Sequence, residues 1–148
     1  MSNLDVAKET VDALENKDWD AASALMADDF TFEGGTPEPI DKDGFLGLSK
    51  AMATAMPDWS YQAHDFAQLD DDDDVSCTVN VGGTHTGQLN LPAMGITGVA
   101  PTGKSARSPD EKITLSIRDG KVAKLHADVP PNGGVAGVLQ QIGVTPPG

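Results

Sequence analysis

Apolar positions recur every three or four residues in the first third of the chain and every second residue through much of its later half. Leu4, Ala7, Val11 and Leu14 fall at helical spacing, and Ser2 or Asn3 ahead of them can cap the free N–H groups of a first helix. Asp18 predicts the cap of a second, short helix with Trp19, Ala22, Leu25 and Met26 on its inner side. Phe30-Thr31-Phe32-Glu33 alternates as a short strand, which Gly34-Gly35 stops, and Pro37 and Pro39 keep the next stretch extended or looped. A third helix is expected after Asp41, with Phe45, Leu48, Met52 and Ala55 as its stripe, weakened by Gly44 and Gly47 and ended by Pro57.

The remainder predicts strands. One runs from Trp59 to Leu69 and another from Val75 to Gly87, joined by an acidic turn. Ile113, Leu115 and Ile117 alternate with Thr114, Ser116 and Arg118, Asp119-Gly120 marks a hairpin, and Val122 to Val129 returns as the last strand. Leu89 to Pro109 carries repeated Gly and Pro and is expected as a long loop, of the kind that serves as a lid or binding segment. A closing helix covers Val135 to Ile142. With no repeat and no internal boundary, residues 1–148 are expected to form a single α+β domain. Its helices pack on one face of a curved sheet that encloses a cavity.

Charge narrows the partners. The net charge of −13 disfavours nucleic acid and anionic membrane surfaces, because phosphate contacts need clustered Lys or Arg. The run Asp70 to Asp74 lacks the alternating ligands, internal Gly and distal Glu of a calcium loop, and is expected to be a solvated turn. The overall acidity also fits a high-salt habitat. No apolar run approaches the roughly 20 residues of a membrane helix, and Met1-Ser2-Asn3-Leu4-Asp5 lacks a signal-peptide start. A soluble cytoplasmic protein is the expectation. Cys77 is the lone cysteine and shares a phase with Val75, Val79 and Val81, so a buried, inert thiol is expected.

Candidate chemistry rests on few residues. His126 and Asp128 lie two apart on a strand and share a face, either as an acid/base pair in an enclosed site or as two polar groups facing solvent. His85, within Gly83-Thr84-His85-Thr86-Gly87, either lines a pocket mouth or is tied to loop backbone. His64 alternates with Phe66 and has no further support. Trp59 and Tyr61 sit at a helix–strand junction, where core packing is the ordinary role, and Tyr61 is also a candidate substrate contact. No zinc-ligand spacing, P-loop, dinucleotide glycine pattern or nucleophile elbow is present, so no metal or nucleotide cofactor is implied.

Pro57-Asp58-Trp59, Gly83-Thr84-His85-Thr86-Gly87, Pro101-Thr102-Gly103-Lys104, Asp119-Gly120-Lys121-Val122 and Gln141-Ile142-Gly143, in this order, resemble the SnoaL-like polyketide cyclase group of the nuclear transport factor 2-like superfamily. The resemblance runs from about Leu4 to Val144. It implies a cone-shaped half-barrel of curved, mainly antiparallel sheet with N-terminal helices over its concave face, a deep pocket, and a homodimer or higher homo-oligomer. It also implies ring closure by intramolecular aldol condensation without metal or organic cofactor. With a one-residue shift at the hairpin, the family's His-x-Asp stretch falls on His126-Ala127-Asp128, so its proton-transfer aspartate on the last strand corresponds to Asp128, with His126 nearby. Its assisting histidine would fall near Lys112-Ile113-Thr114, where this chain has none. The stretches 89–100 and 129–134 also depart from the cyclase pattern.

The resemblance therefore implies a pocket for a small, hydrophobic ligand, with cofactor-free acid/base catalysis by an aldol cyclase, isomerase or lyase on a largely apolar carbonyl compound. Asp128 would take the proton, and His126, His85 or Lys112 would donate to the enolate. The alternative is a non-catalytic ligand-binding or assembly protein on the same fold.

Overall fold

The computed structural model describes residues 2–34, 38–69, 73–92, 95–130 and 133–144. Local sequence starts the helices where capping chemistry permits. Ser2 accepts the Asp5 N–H ahead of α1 (Asn3–Glu15), Asp18 accepts the Ala21 N–H ahead of α2 (Trp19–Ala24), and Asp41 accepts the Gly44 N–H ahead of α3 (Lys42–Ala55). Met56, just before Pro57, closes α3.

The main sheet contains β1 (Met26–Glu33), β2 (Ile40–Asp41), β3 (His64–Gln68), β4 (Asp74–Val79), β9 (Glu111–Arg118) and β10 (Lys121–Asp128), in the order β2-β1-β10-β9-β4-β3. The β1–β10 pair is parallel and its neighbours are antiparallel. Asp119 and Gly120, both at positive φ (54° and 75°), make the tight β9–β10 turn. Gly34 ends β1 at φ 93°, where a Cβ would lie 2.0 Å from the Ala127 carbonyl oxygen, so no other residue fits.

Helices α1 and α3 cover the inner face of this sheet. Val75, Leu115 and Val122 are fully enclosed beneath them, and Phe45 of α3 sets its ring 5.4 Å from Phe30 and 5.0 Å from Phe32. Burying such side chains stabilises the fold by about 1.5–3 kcal/mol each, which outweighs the weak propensity of the Gly-containing α3.

Four expectations change. Met26, expected on the second helix, begins β1, which therefore starts four residues ahead of Phe30. The strand from Trp59 is confined to His64–Gln68, with Ser60 forming only an isolated bridge to Gly82. The strand from Val75 breaks after Val79, and its continuation β5 (Gly82–Thr84) leaves the main sheet to pair with β8 (Ser105–Arg107). The expected loop from Leu89 to Pro109 instead contains that β8 and a small hairpin of β6 (Leu89–Leu91) and β7 (Ile96–Val99). Leu89, Leu91 and Ile96 bury their side chains there, so short alternation won over the Gly and Pro signals. Helix α4 (Gly134–Gln141) closes the described chain. Gly35 and Pro37, residues 70–72 of the acidic run and residues 131–132 of the departing link lie outside the described residues. No helix among the described residues is long and apolar enough to cross a membrane.

Candidate functional site

The helices do not fill the concave face completely. A cavity of about 70 Å³ remains, walled by Phe32, Phe45, Leu48, Met52, Ile113 and Leu125 among others. Its polar groups are few: Ser49 from α3, Tyr61 from the segment after Trp59, and Glu111 at the start of β9. The Ser49 hydroxyl donates to the Phe45 carbonyl at 3.0 Å, a bond within its own helix.

Glu111 is only 6% exposed. It shares the inward phase of Ile113, Leu115 and Ile117 and pairs with Val79 of β4. Burial pushes its carboxyl pKa above the ordinary 4.5, while a hydrogen bond from the Gly134 backbone N–H pulls the other way. Gly133 provides no side-chain cap for α4, and the Gly134 N–H at the start of that helix lies near enough to the Glu111 carboxyl to favour its charged form. Its Oε2 atom is enclosed and has no hydrogen-bond partner among the described residues.

Tyr61 also brings to the cavity an enclosed oxygen that has no hydrogen-bond partner among the described residues. Burial raises its hydroxyl pKa. The nearby Ser49 hydroxyl and Trp59 lower it in part, although neither meets the phenol with full hydrogen-bond geometry, and the Glu15 carboxylate raises it further. The Trp59 and Tyr61 rings meet edge to face at 6.1 Å. An apolar chamber with one buried acid and one neutral donor can exchange a proton with a ligand and hydrogen-bond a neighbouring oxygen.

Of the residues singled out in the sequence, Tyr61 lines this cavity, and Asp128, His126, His85 and Lys112 do not. His126 and Asp128 do share a face and meet, with His126 Nε2 3.0 Å from Asp128 Oδ1 and its Nδ1 3.0 Å from Glu33 Oε1. That face is the outer one, and the Asp128 side chain is 63% exposed. The cause is a β-bulge between Val122 and Lys124, which puts Leu125 and Ala127 inward where strict alternation from Val122 would have put His126 and Asp128. Lys112 pairs with Asp128 across the ladder and is exposed as well.

His85 is fully buried in the loop region. Its Nδ1 accepts the Thr102 N–H at 3.2 Å and lies 3.0 Å from the Thr102 hydroxyl, which leaves the proton on Nε2. This is the loop-tied role rather than a pocket mouth. Cys77 is buried with its thiol pKa pushed up to about 12 by burial, as an inert thiol should be. Glu111 was not among the candidates, although its period-two phase with Ile113, Leu115 and Ile117 pointed it inward.

Known proteins share this architecture. AclR, a proposed hydroxylase from Streptomyces galilaeus, superposes with a TM-score of 0.72 at 19% identity, over 98% of this chain and 87% of its own. IdmH, a proposed polyketide cyclase from Streptomyces antibioticus, gives 0.69 at 22% identity, over 97% of this chain and 100% of its own. A protein of unknown function with a cystatin-like fold from Xanthomonas campestris gives 0.61 at 18% identity, over 86% and 89%. At these identities the likeness establishes the cystatin-like, nuclear transport factor 2-like fold alone. No curated protein matches the chain by sequence. A sequence profile of the SnoaL-like domain, however, matches residues 7–125, which run from within α1 to within β10 and carry every wall of the cavity except α4, and the chain therefore belongs to the SnoaL-like family.

Proposed function

We propose that this protein is a cofactor-independent acid/base catalyst, an isomerase, lyase or aldol cyclase, for a small, neutral, largely apolar carbonyl compound. The observation that carries the proposal is the Glu111 carboxyl, enclosed among apolar walls with one oxygen unpartnered. In the proposed step Glu111 removes a proton from the carbon alpha to the carbonyl, and the electron pair moves onto the carbonyl oxygen. The Tyr61 hydroxyl donates a hydrogen bond to that developing enolate. Glu111 then returns the proton to another carbon of the enolate; in the aldol branch the enolate carbon instead attacks a second carbonyl of the same molecule, whose π pair moves onto its oxygen, and that alkoxide takes the proton back from Glu111. The proton-transfer role expected of Asp128 passes here to Glu111.

Size and charge restrict the substrate. Typical ligand pockets hold roughly 300–1,000 Å³, so a cavity of about 70 Å³ favours a compound of few heavy atoms over a polycyclic one. Among the described residues no Lys or Arg lines it, which disfavours a carboxylate or phosphate ligand.

The second reading, a non-catalytic binder, draws on the place of the Glu111 carboxyl beside the Gly134 N–H at the start of α4, where it can serve the fold alone. Screening small cyclic and acyclic ketones for exchange of alpha hydrogens with deuterium, read by NMR, separates the two. Exchange that depends on wild-type protein and is lost in Glu111→Gln supports catalysis. Undiminished exchange in Glu111→Gln would rule out Glu111 as the proton carrier.

A further inference from the structure

Glu15 breaks a local rule. It is the last residue of α1, whose final turn has no basic residue. A carboxylate at a helix C-terminus meets the negative end of the macrodipole and is disfavoured there by about 0.3–1 kcal/mol. A residue that contradicts local preference is expected to be compensated elsewhere in the structure. Here the compensation lies 45 residues further along the chain: Glu15 Oε1 accepts the Ser60 hydroxyl at 2.9 Å and the Tyr61 backbone N–H at 3.1 Å.

The segment it grips is otherwise irregular. Residues 61–63 belong to no strand, and Gln62 adopts a positive φ of 46°. Ser60 exchanges backbone hydrogen bonds with Gly82 at 3.0 and 3.1 Å, and the Tyr61 carbonyl accepts the Asn80 N–H at 2.8 Å. With Glu15 on its N–H, Tyr61 has both backbone polar groups fastened, while its hydroxyl has no hydrogen-bond partner among the described residues. The groups facing this side chain are Glu15 from α1, Ser49 from α3 and Trp59 on its own segment, and Glu111 from β9 lines the same cavity.

We propose that Glu15 is a positioning residue, which anchors the Ser60–Tyr61 backbone so that the Tyr61 hydroxyl is aimed into the cavity as a neutral hydrogen-bond donor. This deepens the function proposed above and rests on its reading of Tyr61 as the donor. Two properties of Glu15 act separately. Its oxygen holds the backbone, and its negative charge opposes formation of tyrosinate beside it.

Tyr61 is the one tyrosine of the chain, so a label on tyrosine reports this site alone. Protein labelled with ¹³C at tyrosine Cζ would be compared as wild type, Glu15→Gln and Glu15→Ala, with circular dichroism confirming the fold. Glu15→Gln keeps an accepting oxygen and removes the charge. It should preserve the neutral-form resonance and lower the titration midpoint of Tyr61. Glu15→Ala removes both and should shift or broaden that resonance even at neutral pH. An unchanged tyrosine signal and midpoint in both variants would overturn the proposal, as would a Glu15→Gln resonance displaced as far as that of Glu15→Ala. None of these readings needs turnover. If Tyr61→Phe leaves ketone exchange intact while the Glu15 variants behave as expected, the donor role falls and the anchoring of Tyr61 stands.

Discussion

The two faces of one sheet hold two carboxylate sites of opposite character. On the inner face Glu111 is enclosed, its pKa is raised by burial, and one oxygen faces an apolar cavity without a partner. On the outer face His126 sits between Glu33 and Asp128 with both ring nitrogens occupied and water close at hand, and Lys124 lies 3.6 Å from Glu33. The outer cluster looks more like an acid/base device on paper, because it contains a histidine and two carboxylates. Yet its groups already satisfy one another in a high-dielectric setting, where such contacts are worth little. The inner carboxyl has fewer polar partners, and desolvation rather than pairing governs it, which is why the proposed chemistry is placed there.

The contrast breaks most sharply at the level of catalysis. If the inner face carries the chemistry, Glu111→Gln should lower the rate on an identified substrate by about 10²–10⁴-fold, the usual span of general acid/base catalysis. Asp128→Asn should stay close to wild type, and the reverse ranking in steady-state kinetics would return the site to the outer face. Stability should divide along the same line. Leu115→Ala, at a fully enclosed inward position of β9, should cost about 2–5 kcal/mol in urea unfolding. Ser116→Ala, its outward neighbour, should remain within about 0.5 kcal/mol.

Smaller effects are expected in the pH dependence. The folded pKa of Glu111 lies above its ordinary 4.5, so the folded chain holds this proton longer than the unfolded one. Its contribution to stability is present in full below that value and is lost as pH rises through the folded pKa. Glu111→Gln should flatten this part of a melting-temperature series from about pH 4 to about pH 8. Asp58 has the opposite sign. The Thr84 N–H, 2.7 Å from its carboxylate, and the Thr84 hydroxyl hold its pKa below the ordinary 3.8, so its contribution is present above that value and is lost as pH falls through the folded pKa. Asp58→Asn should reduce that acid-limb loss in the same melting series. The smallest change is expected at His126→Ala, under about 1 kcal/mol and weaker in high salt, as for other exposed pairs.

The helices could be read from the sequence because their determinants are local. Ser2, Asp18 and Asp41 cap where their side chains and the following apolar stripes indicate, and Pro57 stops α3. The hairpin at Asp119-Gly120 could be read for the same reason. The region from Asn80 to Pro109 was harder, because its short strands pair with each other or with β5, away from the main sheet, and β-structure depends on partners distant in sequence. At the site, the phase of Ile113, Leu115 and Ile117 already pointed Glu111 inward. A charged residue at the edge of an apolar alternation draws less attention than a histidine beside an aspartate.

By itself the sequence determined the α+β order of elements, the caps and turns that bound them, and the shared face of His126 and Asp128. Each of these follows from interactions within a few residues and from strand or helix periodicity. Which face of the sheet receives that pair was decided only in the tertiary structure. A single extra residue in the bulge of β10 reverses the side of every residue after it, and the bulge exists only in register with β9. The cavity was decided there too, because it is the space that α1, α3, α4 and the curved sheet leave between them, and only their packing takes Glu111 and Tyr61 out of water together.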